Sequence, residues 1–464
     1  MLKNYIGDRP FYSRMLRLSV PIMIQSGITS FVNMLDNIMV GALGSEEMTG
    51  VAVANQLIFI FNLCIFGILS GAGLFSAQFK GRSDMDGIRH TFRFKMIWGI
   101  GITVLVMAVF YFFGEALCNL YMQGQDSDID PVVTLNFAYE YLLIMLVGLI
   151  PYTVAQCYAS TQRDLSLPMS SMVAGIAAVA INLFLNWVLI FGHLGAPALG
   201  IAGAAIATVI SRFVELLIVA IWTHTHKTVF PFIKHAYRSL YVPKKLVFQI
   251  LAKGFPLMLN ETVWALGIAI LGQCYSMRGL DVVAANNISQ TFLNVFAVTF
   301  RSAGVAIGIL MGQNLGAKNW IKAKDEAPKM VGFSVSLGFL TAITFAVSAN
   351  FIPALYETTE AVRDLAVSLI LITACIQPLE AYVHSSYFIL RSGGRTGITI
   401  LFDCGYVWGL TIPVAAILSY ATDMPILPLY AIIQGLTLVK CVVGFLLVNK
   451  GIWIRNIVDE KETA

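Results

Sequence analysis

Residues 51–76 read VAVANQLIFIFNLCIFGILSGAGLFS, a run of apolar and small side chains without a single charge. A helix rises about 1.5 Å per residue, so such a run is long enough to cross the roughly 30 Å hydrocarbon core of a bilayer. Working outward from it, the chain holds twelve runs of this kind: 15–41, 51–76, 94–118, 135–160, 169–192, 201–223, 248–275, 282–312, 329–354, 365–390, 397–418 and 428–449. Strands of a membrane barrel would alternate with a period of two in pieces of about ten residues. These runs are longer and continuous, so they are helices. The first is too long for a cleavable signal and is followed at once by another span. The expected fold is an all-α membrane protein with twelve transmembrane helices.

Composition agrees. Of 464 residues, 58% are hydrophobic and 12% are charged, with a mean hydropathy of +0.77. Ordinary soluble proteins are about 45–50% apolar and about 25% charged. Lipid is therefore the main solvent, which excludes a disordered chain, a secreted disulfide scaffold and a nucleic-acid binder. Six of the seven cysteines (Cys64, Cys157, Cys274, Cys375, Cys404 and Cys441) lie inside apolar runs, and Cys118 lies near the end of one. No CxxC pair is present, so they read as small core residues.

Positive side chains concentrate on the cytoplasmic side of membrane proteins. With the N-terminus inside, the inner segments hold 25 of the 30 basic residues, and the outer segments hold only Arg278 and Arg363. Arg212, Arg301 and Lys440 fall within spans. Flipping any one helix would scramble this alternation. The expected localisation is thus a multi-pass protein of the plasma or inner membrane with both termini cytoplasmic. The basic 224–247 segment is then cytoplasmic and the acidic 119–134 loop external.

An offset of 235 residues superimposes Pro21 on Pro256, Gly44 on Gly279, Gly73 on Gly308, Gln78 on Gln313 and Gly81 on Gly316. The coincident residues are helix breakers and loop residues at matching places in spans 1–2 and 7–8. Pro151/Pro378 and Arg163/Arg391 continue the match at offsets of 227 and 228. The halves read as two six-helix bundles in the same orientation, a parallel internal repeat of the kind transporters use. The expected organisation is an N-terminal bundle over 1–225, a cytoplasmic linker over 226–247 and a C-terminal bundle over 248–464.

Ionisable side chains inside spans are costly and usually functional. Five acids within the spans are singled out: Asp36, Glu215, Glu261, Glu380 and Asp403. Glu215 is three residues from Arg212 on one helix face and reads as a structural ion pair. Asp403 lies about two turns from the inner end of span 11, within reach of the basic inner surface. Asp36 has no base within two turns and lies roughly 8 Å from the outer end of its helix. Asn182, Asn186 and Thr208 share its depth. Two readings stand for these four: interhelical hydrogen-bonding glue, or a hard-cation or proton site of oxygen ligands. Glu261 and Glu380 lie near the middle of spans 7 and 10 with no base at helical spacing. His384 follows Glu380 by one turn, and a carboxyl–imidazole pair in low dielectric is a proton or cation exchanger. The plainer reading of His384 is a lone hydrogen-bonded helix residue. Arg301 and Lys440 stand isolated. No phosphate-binding loop, HExxH or GxSxG is present, so the chain is expected to be no enzyme and to use no cofactor.

The run from Pro21 to Gly44, with Asp36-Asn-Ile-Met-Val40-Gly41-Ala-Leu-Gly44, resembles the first helix of MATE (multidrug and toxic compound extrusion) transporters. So do the stretch from Asn182 through Asn186 to Gly192, Gly200-Ile-Ala-Gly203-Ala-Ala-Ile-Ala-Thr208, and Leu390-Arg391-Ser-Gly393-Gly394. The resemblance covers essentially the whole chain. It implies cation-coupled export of small organic, often cationic, compounds through a cleft between the bundles. It also implies that Asp36 matches the family's helix 1 aspartate, and that Asn182 and Thr208 match polar members of its N-terminal cation site. Glu261 matches the helix 7 glutamate of the NorM-like branch, and Glu380 falls where that branch has a helix 10 aspartate. Asn186 stands where aspartate is frequent, which removes a charge from the N-terminal site and weakens the case for tight sodium binding there.

The function expected from residues and resemblance together is an antiporter driven by Na⁺ or H⁺, working as a monomer in the lipid bilayer. Ion and substrate compete, so ion binding shifts the conformational population. Within transport, the alternative is a flippase for a lipid-linked precursor, whose anionic cargo would favour a basic cleft over these acids. A membrane receptor is the alternative from another class, and the duplicated halves count against it.

Overall fold

The computed structural model describes residues 5–122, 130–356 and 358–459. Asp128 of the acidic loop, Lys3 and Lys461 lie outside the described residues. The helices are α1 Arg9–Gly41, α2 Ser45–Gly81, α3 Met85–Met122, α4 Pro131–Asp164, α5 Met169–Phe191, α6 Gly200–Thr225 and α7 Lys244–Ser276. After them come α8, made of Leu280–Phe296 and Val298–Gly316, then α9 Trp320–Val347, α10 Glu360–Ser392, α11 Thr396–Tyr420 and α12 Ile426–Asn449. Eleven are long and apolar enough to cross a membrane alone, and the two pieces of α8 make the twelfth span. The helices outrun the apolar runs at several ends, and caps mark their limits. Asp130 accepts from the Val132 amide at 2.8 Å ahead of Pro131, and Gly192 closes α5 at φ 75°, both favourable terminal choices.

Two spans depart from the regular helices expected. The pieces of α8 meet at 47° around Ala297. No proline or glycine sits there. Instead the Phe296 carbonyl accepts the Thr299 hydroxyl at 3.1 Å, and the Thr341 hydroxyl of α9 lies 3.5 Å from the same oxygen. Side chains entering the backbone ladder in this way are a recognised cause of kinks. In α11, Leu401–Gly405 and Val407–Thr411 are π-helical, a rare winding frequently found at functional sites. Asp403 lies in the first of these turns.

The chain divides into two compact units. One comprises Met1–Met23, Ala77–Ser83 and Pro256–Ala464, and the other Ile24–Ser76 and Asp84–Phe255. These bounds differ from the sequence expectation of 1–225 and 248–464. The start of α1 belongs to the unit of the C-terminal helices because Phe11, Met15, Leu18 and Ile22 are buried in a core with α8, α9 and α10. The start of α7 belongs to the other unit, where a Cβ on Gly71 of α2 would come within 2.6 Å of Gly254 of α7. Only glycine permits backbones this close. The crossovers within α1 and α7 fall within three residues of Pro21 and at Pro256, the prolines that the repeat superimposes.

Another repeat pair meets inside the first unit. A side chain on Gly81 would strike the Gln313 carbonyl, and one on Gly316 would strike the Gln78 carbonyl. The segment after α12 ties into this crossing. Gln78 donates to the Ser392 and Arg455 carbonyls at 3.1 and 3.2 Å, and its own carbonyl accepts the Ile457 amide at 2.8 Å.

Candidate functional site

The unit holding α3 to α6 gathers the four oxygen-bearing residues singled out above. Asn182 and Asn186 are one turn apart on α5, so both face the same way, and α5 packs along α6, which carries Thr208. Asn186 Nδ2 donates to Asp36 Oδ1 at 2.7 Å. Asn182, oriented so that both ends of its amide are satisfied, donates to the two Asp36 oxygens at 3.2 and 3.1 Å and accepts from the Thr208 hydroxyl at 3.2 Å. Two amides thus cradle one carboxylate, and Thr208 holds the cradle from α6. Arg212 and Tyr141 are electrostatic neighbours of Asp36.

One atom in this cluster has no hydrogen-bond partner. Asn186 Oδ1 is buried and unsatisfied. An orphaned carbonyl oxygen beside a carboxylate fits a cation or a protonated group, because leaving such an atom unpaired costs about 1–3 kcal/mol. A cavity of about 30 Å³ adjoins the cluster, lined by Asn62, Tyr152, Thr208 and Arg212 among others. That volume suits water or a small ion and is far too small for an organic molecule. The i,i+3 pair of Arg212 and Glu215 forms at 3.4 Å, as its spacing implies, and Arg212 also lies over the Tyr152 ring at 4.7 Å.

The other unit gathers Glu261, Glu380 and Asp403, and here tertiary packing supplies bases that helical spacing could not reveal. Lys440 of α12 reaches Asp403 Oδ1 at 2.6 Å, while Asn260 of α7 donates to Asp403 Oδ2 at 3.0 Å. Asp403 is therefore paired within the bundle and is not directed to the basic surface. Glu380 accepts the Thr437 hydroxyl at 3.0 Å and interacts electrostatically with Arg301 and Lys440. Glu261 interacts with Arg391, Asp403 and the Tyr387 hydroxyl. Neither glutamate is the isolated acid that its own helix implied. His384 does not join a relay with Glu380 among the described contacts. Its ring stands edge-on to Phe300 and Phe388, at 6.0 and 5.6 Å between centroids.

Sequence reading missed one further pair. Lys95, one of the 25 bases assigned to the inner side, is fully buried and binds Asp164 at 2.7 Å, with Ser160 and Thr161 completing its shell at 3.1 and 3.2 Å. Asp164 closes α4 four residues past the apolar run of 135–160, where only tertiary structure reveals the burial.

The geometry agrees with what the chain is similar to. The MatE family model matches residues 21–188 and 256–417. The multidrug resistance protein NorM of Aliivibrio fischeri is 26% identical over 421 residues, spanning 88% of this chain and 86% of that protein. NorM of Vibrio cholerae is 24% identical over 434 residues, spanning 89% of each. Among solved structures, an outward-facing multidrug resistance MATE family transporter of the MOP superfamily superimposes with a TM-score of 0.85 at 17% identity, over 100% of this chain and 99% of that one. A MOP superfamily transporter from Pyrococcus furiosus, described as having reversed polarity of its binding pocket, superimposes at 0.83 with 18% identity over 97% of each chain. At these identities the structural likeness bears on the fold.

Proposed function

Because the chain belongs to the MatE family, we propose that it is a cation-coupled antiporter that exports small organic compounds, cationic ones among them, across the plasma membrane. The NorM proteins it resembles are named for multidrug resistance. The observation that carries the reading is the carboxylate of Asp36, held by two amides beside the unsatisfied Asn186 carbonyl.

The mechanism follows from charge. Asp36 is bonded only to neutral amides, with Arg212 in its field; Glu215 and Asp403 sit in ion pairs, while Glu261 and Glu380, likewise without a bonded base, have Arg391 and Arg301 in theirs. A carboxylate in low dielectric without a bonded countercharge gains most from an incoming Na⁺ or H⁺. Binding neutralises it and frees the amides to rearrange, so the ion favours one conformation over the other. A cationic substrate favours the ion-free state for the same reason. Glu261 and Glu380 act within a second, internally balanced network, and His384 packs beside it. We place both termini on the cytoplasmic side, supported by the 25 basic residues of the segments assigned there.

The test is transport by the purified protein in proteoliposomes, with Na⁺ and H⁺ gradients imposed separately. Uphill movement of an organic cation with either gradient supports the reading. Its absence with both, in a protein that is folded and inserted, rejects it.

A further inference from the structure

We propose that Lys440 is a tethered cation that fills the carboxylate site of the C-terminal helices in place of sodium, so that this half of the protein takes up no Na⁺. The inference rests on the antiporter reading, in which buried carboxylates are where a coupling ion would bind.

The Lys440 ammonium is placed as a bound cation would be. Its nitrogen is 2.6 Å from Asp403 Oδ1. It lies over two aromatic rings, 5.4 Å from the Phe402 centroid and 5.2 Å from that of Tyr406. Glu380 of α10 is a second carboxylate in its field. One carboxylate at bonding distance and two ring faces make an ammonium site, since ring faces attract cations. The remaining oxygen of Asp403 is taken by the Asn260 amide at 3.0 Å. Both oxygens of Asp403 are thus engaged, one by the ammonium and one by the amide, and the position a cation would take against Oδ1 is held by Lys440.

Net charge supports the same conclusion. The three acids of this cluster, Glu261, Glu380 and Asp403, are matched by Lys440, Arg301 and Arg391. An added Na⁺ would leave a net positive charge in a region of low dielectric, and uncompensated buried charge is strongly unfavourable. Remove the ammonium, and the site becomes an anionic, oxygen-lined space of the kind that binds a hard cation. The winding of α11 contributes, because the π-helical turn at Leu401–Gly405 brings Phe402 and Asp403 to Lys440 together.

The experiment reads sodium binding directly and does not depend on transport. Thermal unfolding of the detergent-solubilised protein is followed in NaCl and in choline chloride at equal ionic strength. All variants carry Asp36→Asn, so that the N-terminal site is silent. With Lys440 present, sodium should leave the midpoint unchanged. With Lys440→Met added, sodium at tenfold or more above its Kd should raise the midpoint by roughly 2–4 °C. Adding Asp403→Asn should abolish that rise. Lys440→Gln, which keeps a hydrogen bond to Asp403, is the second variant should the methionine disturb folding. Sodium stabilisation with Lys440 in place would overturn the proposal, as would indifference to sodium in both Lys440 variants. Loss of uphill transport in the wild type would instead count against the antiporter reading and leave this result standing.

Discussion

Asn186 gives its amide to Asp36 at 2.7 Å and keeps its own carbonyl oxygen buried without a partner. The two facts belong together. An amide committed to a carboxylate at one end must find a donor or a cation at the other, and the described protein supplies none. The arrangement is half of an ion site: the negative charge and one neutral oxygen are in place, held by α1 and α5, with Asn182 and Thr208 fixing the angle.

Asp36→Asn keeps the shape of the cradle and removes its charge. Coupled efflux of ethidium from cells should fall to the level of cells lacking the protein, while membrane insertion and a single size-exclusion peak are retained. Normal efflux in this variant would remove Asp36 from the coupling role.

Asn186→Ala takes away both the amide donor and the orphan carbonyl. Hydrogen bonds to charged groups contribute about 1.5–3 kcal/mol, so the ion concentration for half-maximal efflux should rise about tenfold or more. Maximal efflux at saturating ion should change less. An unchanged half-saturation point would show that Asn186 does no more than pack α5.

Glu261 and Glu380 share a network through Asp403, Lys440 and their bases. Glu261→Gln and Glu380→Gln should each lower efflux strongly. The double variant should be little worse than either single one, because members of one network are not additive. Measured rates that multiply independently would show two separate roles.

How far the molecule could be read in advance depends on the range of the interaction. Spans, their number and the ion pair of Arg212 with Glu215 follow from local pattern and helical spacing. The glycines at 81 and 316 stood out through the repeat, and both prove to be points of closest backbone approach. The partners of Asp403 and Glu380 were invisible because they lie 37 and 57 residues away on another helix. Nothing in a single helix tells an acid which neighbour it will face. The kink at Ala297 was equally hidden, since its cause is partly a threonine on α9. One signal was available and unused: deep within the last six spans, away from their inner ends, stand three acids and two bases, Arg301 and Lys440. Buried charges rarely stay unpaired, so those bases pointed to pairing.

Asp403→Asn should be a stability variant. It leaves the Lys440 ammonium buried without its carboxylate, a loss of about 3–5 kcal/mol for a pair broken on one side. The double variant Asp403→Asn with Lys440→Met should recover most of it. Thermal melts of the four proteins in detergent complete the cycle, and a double variant as unstable as Asp403→Asn alone would deny the pairing its importance.

Topology has a direct chemical test. Leu194 lies exposed between α5 and α6, on the side assigned as external. In a background without the seven native cysteines, Leu194→Cys should react with an impermeant thiol reagent applied to intact cells, and Lys234→Cys should not. The reverse pattern would invert the orientation.

The central claim is that the Asp36 carboxylate converts an ion gradient into substrate movement. Its most direct measurement is uphill ethidium transport in proteoliposomes carrying wild-type or Asp36→Asn protein, under an Na⁺ or an H⁺ gradient alone. The account predicts accumulation by the wild type with at least one gradient and none by the variant with either. Accumulation by Asp36→Asn at the wild-type rate, under the same gradient, would contradict it.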